Sequence, residues 1–358
     1  MRNFFRPALR WEFKTAENLS NFMELDGQIL VGPNKQLTKE SVKKKFSQKL
    51  ASGFAGSFLL RAGRDLHEKH ITDWQMGGSF LKKLLANVYL ILHDYGQGDF
   101  PPKLVCREET FESEREQLKA LDFQSWDQTF IDVMAKPFSS RGHWLKHYLW
   151  STGLIMDTLE KRGVPPGSRL MELGCGMGWL AEFLALRGYA VTGTPIAPID
   201  ILHAKNRAES IKIKGLKSDL QFVCTPMEEV HRQVDISKPF DAVYCFEALH
   251  HAFDWRESLT AASKCIRRGG SLFLFCEPPA LHTYVCYRSA KILKTHEIGF
   301  KRKELIAHIK KLGYTDIEIS RPLRIDRLRD FWKQFLPFEV SSGSVLTHGL
   351  WIAGRKTN

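Results

Sequence analysis

A chain of 358 residues with 43 % hydrophobic and 26 % charged side chains has room for two ordinary domains and the make-up of a folded globular protein. No apolar run nears the roughly 18 residues that span a bilayer, and MRNFFRPALRWEF sets charges where a signal peptide needs an apolar centre, so the expected address is cytoplasmic. Seven cysteines without a C-x-x-C pair signal neither a disulfide framework nor a thiolate zinc site, and no metal is expected. The net charge of +12 is uneven: +4 over residues 1–150, zero over 151–280 and +8 over 281–358. Such a basic surplus attracts nucleic acid, an anionic membrane or an acidic substrate without choosing among them.

In chain order, the first clear periodic element runs from about Gly78 to Leu92, with Phe80, Leu81, Leu84, Leu85, Val88, Leu90 and Leu92 on helical spacings. A glycine- and proline-containing break over 96–102 ends it. The acidic ETFESEREQ then reads as a helix start, and SSRGHWLKHYLWSTGLIMDTLEKRG as an amphipathic helix stopping at Gly163. Residues 1–130 are accordingly expected to form a mainly helical accessory region, able to cap a substrate, ahead of a second domain over 131–358.

From Ser168 onward short apolar runs alternate with amphipathic helices, which calls for a parallel sheet covered on both faces. Strands are expected at about 169–173, 189–193, 220–224, 240–245 and 271–276. Gly188 should stop one helix, Asp254 with Glu257 should start another, and Gly269–Gly270 should end that one. A helix KRKELIAHIKKLG precedes the strand-like TDIEIS and GLWIAGR. The 28 residues between those two strands, 321–348, are too few for another covered crossover, so a terminal antiparallel hairpin fits better. The fold class read from this pattern is α/β: a doubly wound, mostly parallel seven-stranded sheet with a terminal antiparallel hairpin, plus a mainly helical N-terminal region. The 321–348 insertion interleaves Arg321, Arg324, Arg327 and Arg329 with Phe331, Trp332, Phe335 and Phe338, which suits a packed amphipathic helix, a lid over the site, or a nucleic-acid or membrane patch.

The sharpest local signal is RLMELGCGMGWLAEFLALRG, where a buried strand runs into Gly174, Gly176 and Gly178 and then a helix. Glycine tolerates positive φ and lets a ligand touch the backbone. Two ligand classes use such a turn. The nicotinamide pattern G-x-G-x-x-G needs a third glycine where Trp179 stands, and a carboxylate near the end of the second strand, which instead reads Thr194–Pro195.

The other pattern, E-x-G-x-G-x-G, is met at Glu172, Gly174, Gly176 and Gly178. With the later PFDAVYCFEALHHAFDW, CIRRGGSLFLFCEPP and THEIGFKRKELIAHIKKLGYTDIEIS in order, residues from about 140 onward resemble the class I (Rossmann-like) methyltransferases of the small-molecule type. The resemblance implies S-adenosylmethionine as cofactor. It places Glu172, Gly174, Cys175, Gly176 and Gly178 in the donor turn, Thr194 at the end of the second strand, Met227 as the adenine wall with Glu228 beside it, and Phe246 and Glu247 at the carboxyl end of the fourth strand. The family's acids after the second and third strands are replaced here by Pro195 and by Thr225–Pro226. Each lost charged hydrogen bond typically costs about 1.5–3 kcal/mol.

Methyl transfer from a sulfonium needs alignment, exclusion of water and often one proton acceptor. His250 and His251, directly after the fourth strand, and Glu297, in T-H-E-I-G-F, are the candidate bases. Either histidine equally suits a helix start, and Glu297 a solvated position. Trp144, Tyr148 and Trp179 fit core better than binding wall. The expected function is a methyltransferase acting on a small molecule, in particular O-methylation of a sugar, a glycan or a secondary metabolite, with a small-molecule acceptor as partner. The alternatives are RNA methylation, drawn from the C-terminal charge, and a non-catalytic binding protein, drawn from Pro195 and Pro226.

Overall fold

The computed structural model describes residues 54–71, 80–97, 111–112, 136–138, 142–213, 215, 219–293, 295–320, 322 and 349–357, with the side chains at 54–57, 80, 142–144 and 293 excepted. Most of the 321–348 insertion, the 130/131 boundary, Cys106 and the Trp144 side chain lie outside the described residues. The chain divides into two compact units, 1–61 with 92–102 and 62–91 with 103–358, and the sheet and site belong wholly to the second.

Two helices, α1 (Phe54–Lys69) and α2 (Phe80–Gln97), come first. Helix α3 (Gly142–Lys161) ends where Gly163 takes φ +79°, letting the Val164 amide reach back to the Leu159 carbonyl at 2.9 Å. The sheet contains β1 (Arg169–Leu173), β2 (Ala190–Thr194), β3 (Asp219–Phe222), β4 (Phe240–Phe246), β5 (Ile266–Glu277), β6 (Tyr314–Ser320) and β7 (Leu350–Lys356) in the order β3-β2-β1-β4-β5-β7-β6. The first five run parallel; β7 slots antiparallel between β5 and β6. That is the expected doubly wound sheet with its antiparallel end.

Both faces are covered because β4 is apolar on both. Val243 and Cys245 join the core beneath α7 (Trp255–Cys265) and α10 (Arg302–Lys311), while Ala242, Tyr244 and Phe246 join that beneath α3 and α4 (Trp179–Leu186). The remaining helices are α5 (Pro198–Ile213), α6 (Val230–Gln233), α8 (His282–Val285) and α9 (Tyr287–Leu293). From α2, Asn87 donates to the Tyr284 carbonyl at 2.5 Å and accepts the Arg288 amide at 2.8 Å, which fastens α8 and α9 near the carboxyl edge of the sheet.

Asp254 caps α7 as expected, accepting the amides of Arg256 and Glu257 at 2.8 and 3.2 Å. The expected stop at Gly269–Gly270 is corrected. Helix α7 ends at Cys265, and β5 already begins at Ile266. The two glycines instead carry an irregularity inside the strand: Gly269 has φ +75°, and a Cβ on Gly270 would sit 2.7 Å from the Asp241 carbonyl oxygen.

Candidate active site

Strand β1 delivers the glycine-rich turn to the centre of the carboxyl edge, between β2 and β4, where doubly wound sheets bind ligands. Gly174, Gly176 and Gly178 all have positive φ, at 62°, 49° and 73°. Their surroundings differ. A Cβ on Gly174 would strike Met227 Cε at 2.6 Å, and one on Gly178 would strike the Phe222 ring at 2.6 Å. At Gly176 a Cβ would meet nothing within 4 Å, so this part of the turn faces open space. Cys175, between them, is buried, and burial pushes its thiol well above the ordinary range.

Glu172 is buried at the end of β1. It accepts the Tyr244 hydroxyl at 2.9 Å and the Ala181 amide in the first turn of α4. Desolvation outweighs both bonds and raises its pKa to about 8. The Thr194 hydroxyl donates to the Glu172 carbonyl oxygen at 2.8 Å, so its hydrogen is engaged within the sheet. Glu228 is likewise committed, its Oε1 accepting the Asp254 amide at 3.0 Å.

A small, partly open cavity of about 40 Å³ lies beside the turn. Gly174, Thr194, Met227, Glu228, His251 and Phe111 are among its walls. One carboxylate that sequence reasoning passed over sits nearby. Asp200 is buried in the first turn of α5, and its side chain has no hydrogen-bond partner among the described residues. One turn later on the same buried face, the Ala204 Cβ lies 3.2 Å from where a Gly178 Cβ would be, and the Asp200 carboxylate acts electrostatically on Cys175. Burial alone raises Asp200 to about 7. The only sequence signal was an acid on the apolar stripe with Ala204, Ala208 and Ile211.

At the end of β4, Phe246 packs edge-on against Trp179, which Tyr148 also contacts in the core. Glu247 takes φ +49° and accepts Nε2 of His147 at 3.1 Å. Burial raises the Glu247 carboxyl, but His147, Lys136 and His250 together bring it below its ordinary value. Cys276, at the end of neighbouring β5, also has positive φ, at 60°. Non-glycine residues held there on adjacent strand ends mark an edge shaped for something other than stability.

The two adjacent histidines separate in role. His250 is buried, with Nδ1 3.1 Å from Oε2 of the fully buried Glu277. His251 lines the cavity, and its buried Nδ1 faces Oε1 of Glu297 at 3.9 Å. The Ile298 amide donates to the His250 carbonyl at 3.1 Å, which brings Glu297 to this place. Glu297 also accepts Nε2 of His282, on α8, at 2.8 Å. Burial opposes its charge, but His251, His282 and His250 overcome that and lower its pKa to about 2. A carboxylate so acidic holds charge and orients imidazoles; it is a poor proton acceptor at neutral pH. His250, His251 and Glu297 present ligand-type atoms within 4.8 Å of one another. His282 shares the same Glu297 carboxylate.

Residues 171–274 match a family model described as a methyltransferase domain. The ubiquinone biosynthesis O-methyltransferase of Chromobacterium violaceum is 32 % identical over 122 residues, which are 34 % of this chain and 49 % of that protein. The protein of the same name from Marinobacter nauticus is 30 % identical over 125 residues, again 34 % and 49 %. The chain thus spans about half the length of the curated relatives it matches. Among solved structures, magnesium protoporphyrin IX methyltransferase from Synechocystis PCC 6803, crystallised with bound SAH, is 13 % identical with a TM-score of 0.49, covering 68 % of this chain and 100 % of that one.

Proposed function

We propose that this chain, which carries a class I methyltransferase domain, is an S-adenosylmethionine-dependent methyltransferase that methylates a hydroxyl oxygen of a small molecule. The observation that carries the reading is the open face of Gly176 beside a cavity walled by Gly174, Thr194, Met227 and His251. The residues fit the donor. Main chain at Gly176 lies free for close approach, Gly174 and Met227 wall the cavity and Met227 offers adenine an apolar face, and Asp200 is a buried carboxylate still lacking a donor. In this reading Asp200 accepts the ribose hydroxyls in place of the acid that Pro195 displaces. Among the described residues no helix is long and apolar enough to cross a membrane.

When bound, S-adenosylmethionine supplies an already activated methyl group, so the protein's tasks are alignment, dryness and removal of one proton. Glu297 Oε1, 3.9 Å from His251 Nδ1, orients the ring that lines the cavity, and this imidazole is the group that takes the acceptor's proton. Glu277 holds His250 behind it, and the His250 ring lies 4.2 Å from the His251 ring between centroids, fixing its attitude. Oxygen as the acceptor atom rests on this base and on the O-methyltransferase names of the curated relatives. Sugars, glycans and secondary metabolites all fall within that class of acceptor.

The test has two stages. Calorimetry with S-adenosylhomocysteine should show one binding site per chain. Incubation of a metabolite extract with methyl-labelled S-adenosylmethionine should then move label into the small-molecule fraction. A chain that binds neither donor nor product is not this enzyme.

A further inference from the structure

The last turn before α9 holds a thiol and an imidazole that the proposed reaction does not use, joined to Glu297, which it does. His282 opens α8 and Cys286 follows its end, and the Cys286 amide bonds the His282 carbonyl at 2.9 Å, placing the two side chains on one face of a single turn. Cys286 Sγ lies 3.6 Å from His282 Nδ1, and the opposite ring nitrogen, Nε2, lies 2.8 Å from Glu297 Oε2. The carboxylate is anchored independently: flanking Gly299 donates its amide to Thr283 Oγ1 at 2.7 Å, and Phe300 donates to the Pro278 carbonyl at 2.9 Å. Thiol, imidazole and carboxylate therefore stand in line, held by backbone bonds that do not depend on the thiol.

This order of groups activates sulfur. An imidazolium has two N–H donors; one is directed to Glu297, which keeps the ring charged, and the other to the sulfur, which favours thiolate. We propose that Cys286 is an activated thiol and a site of reversible S-thiolation by low-molecular-weight disulfides such as glutathione disulfide. The Cys286 sulfur attacks one sulfur of the disulfide, a new S–S bond forms as the old one breaks, and the departing thiolate takes a proton from solvent. Reduction by a second thiol reverses the step by the same exchange.

The surroundings set Cys286 apart from the other described cysteines. Cys175, Cys245, Cys265 and Cys276 are buried, and burial raises their thiols, Cys265 to about 11. Cys224 is exposed, with its Sγ 3.3 Å from the Ile196 carbonyl oxygen. Cys286 is half-buried beside its imidazole. Burial opposes charge on His282, but the contacts with Cys286 and Glu297 outweigh it and raise the imidazole to about 10. Of the titratable and charged groups nearby, His250 stands with its ring centroid 5.5 Å from that of His282, and Arg288 on α9 is turned to His67 and the His70 carbonyl. The proposal is independent of the methyl-transfer reading.

The experiment is alkylation of the native full-length chain by iodoacetamide between pH 6 and 9, followed by peptide mapping. In the wild type at pH 6, Cys286 should react about tenfold faster than exposed Cys224 in the same sample. His282→Asn should bring Cys286 down to the Cys224 rate, and Glu297→Gln should lower it part of the way. Continued protection of Cys245 and Cys265 reports an intact fold; if a variant exposes them, the wild-type ratio and the other variant decide. Glutathione disulfide should add one glutathione at Cys286 first, removable by dithiothreitol. A wild-type Cys286 that reacts at or below the Cys224 rate at pH 6 overturns the proposal.

Discussion

Oε2 of Glu277 lies 3.1 Å from Nδ1 of His250, while Oε1 of the same carboxylate accepts the amides of Ala248 and Leu249 at 3.1 and 3.0 Å. One side chain thus ties the end of β5 to the turn after β4 and sets the histidine's orientation. Because Glu277 is fully buried, Glu277→Ala strands three donors. We expect a loss of about 3–5 kcal/mol in urea unfolding, with Glu277→Gln intermediate because it keeps one acceptor oxygen. A loss under about 1 kcal/mol for the alanine variant would mean that water replaces the carboxylate.

The histidine pair should separate by readout. His251→Ala removes a partly exposed group lining the cavity, so kcat should fall about 100-fold or more, with little change in S-adenosylhomocysteine affinity. His250→Ala removes a buried partner of Glu277 and should lower thermal stability as well. If His251→Ala turns over normally at every pH, the base lies elsewhere.

The three glycines also make distinct predictions. Gly174→Ala drives a methyl into Met227 and Ala248 and should cost more than about 2 kcal/mol of stability. Gly176→Ala meets no neighbour, so only the left-handed backbone opposes it, at about 1 kcal/mol. Its larger effect should be on donor affinity, read by calorimetry. Unchanged affinity in a folded Gly176→Ala protein would move the donor away from this turn.

Asp200 links pH to stability. Its folded pKa, about 7, lies above the ordinary 3.8, so the folded state binds the proton more tightly than the unfolded state does. The wild type therefore loses stability as pH rises from about 4 to about 7, and the deficit persists above that. Asp200→Asn should gain roughly 2–4 kcal/mol at pH 8 and almost nothing near pH 4, measured by chemical unfolding at both. The same variant should bind S-adenosylhomocysteine more weakly if Asp200 receives the ribose. A gain independent of pH would show the carboxylate to be solvated.

Much of the fold was legible in the sequence because its determinants are local. Strand β1 and the glycine turn are contiguous from Arg169 to Gly178, Asp254 caps its own helix, and the alternation of apolar runs with helices needs no knowledge of partners. The misreading at Gly269–Gly270 has the same root: paired glycines end helices and also kink strands, and only the β4 neighbour, with its Asp241 carbonyl, distinguishes the two. The site was legible as a set of candidates. Gly174, Thr194, Met227, Glu228 and His251 come together around one cavity, while Glu172, Thr194 and Glu228 each also bond within the protein itself.

By itself, then, the sequence determined the class of sheet, the place of the glycine-rich turn and the candidates for handling a proton. Tertiary structure alone decided which histidine faces the cavity, that Glu277 bonds His250 from behind, that Asp200 sits buried without a donor, and that Cys286 meets His282 and Glu297 in line. The reason is physical. A turn or a cap is set by dihedral preference within a few residues, but a carboxylate's charge and reach depend on burial and on partners 27 or 72 positions away, which one strand does not encode.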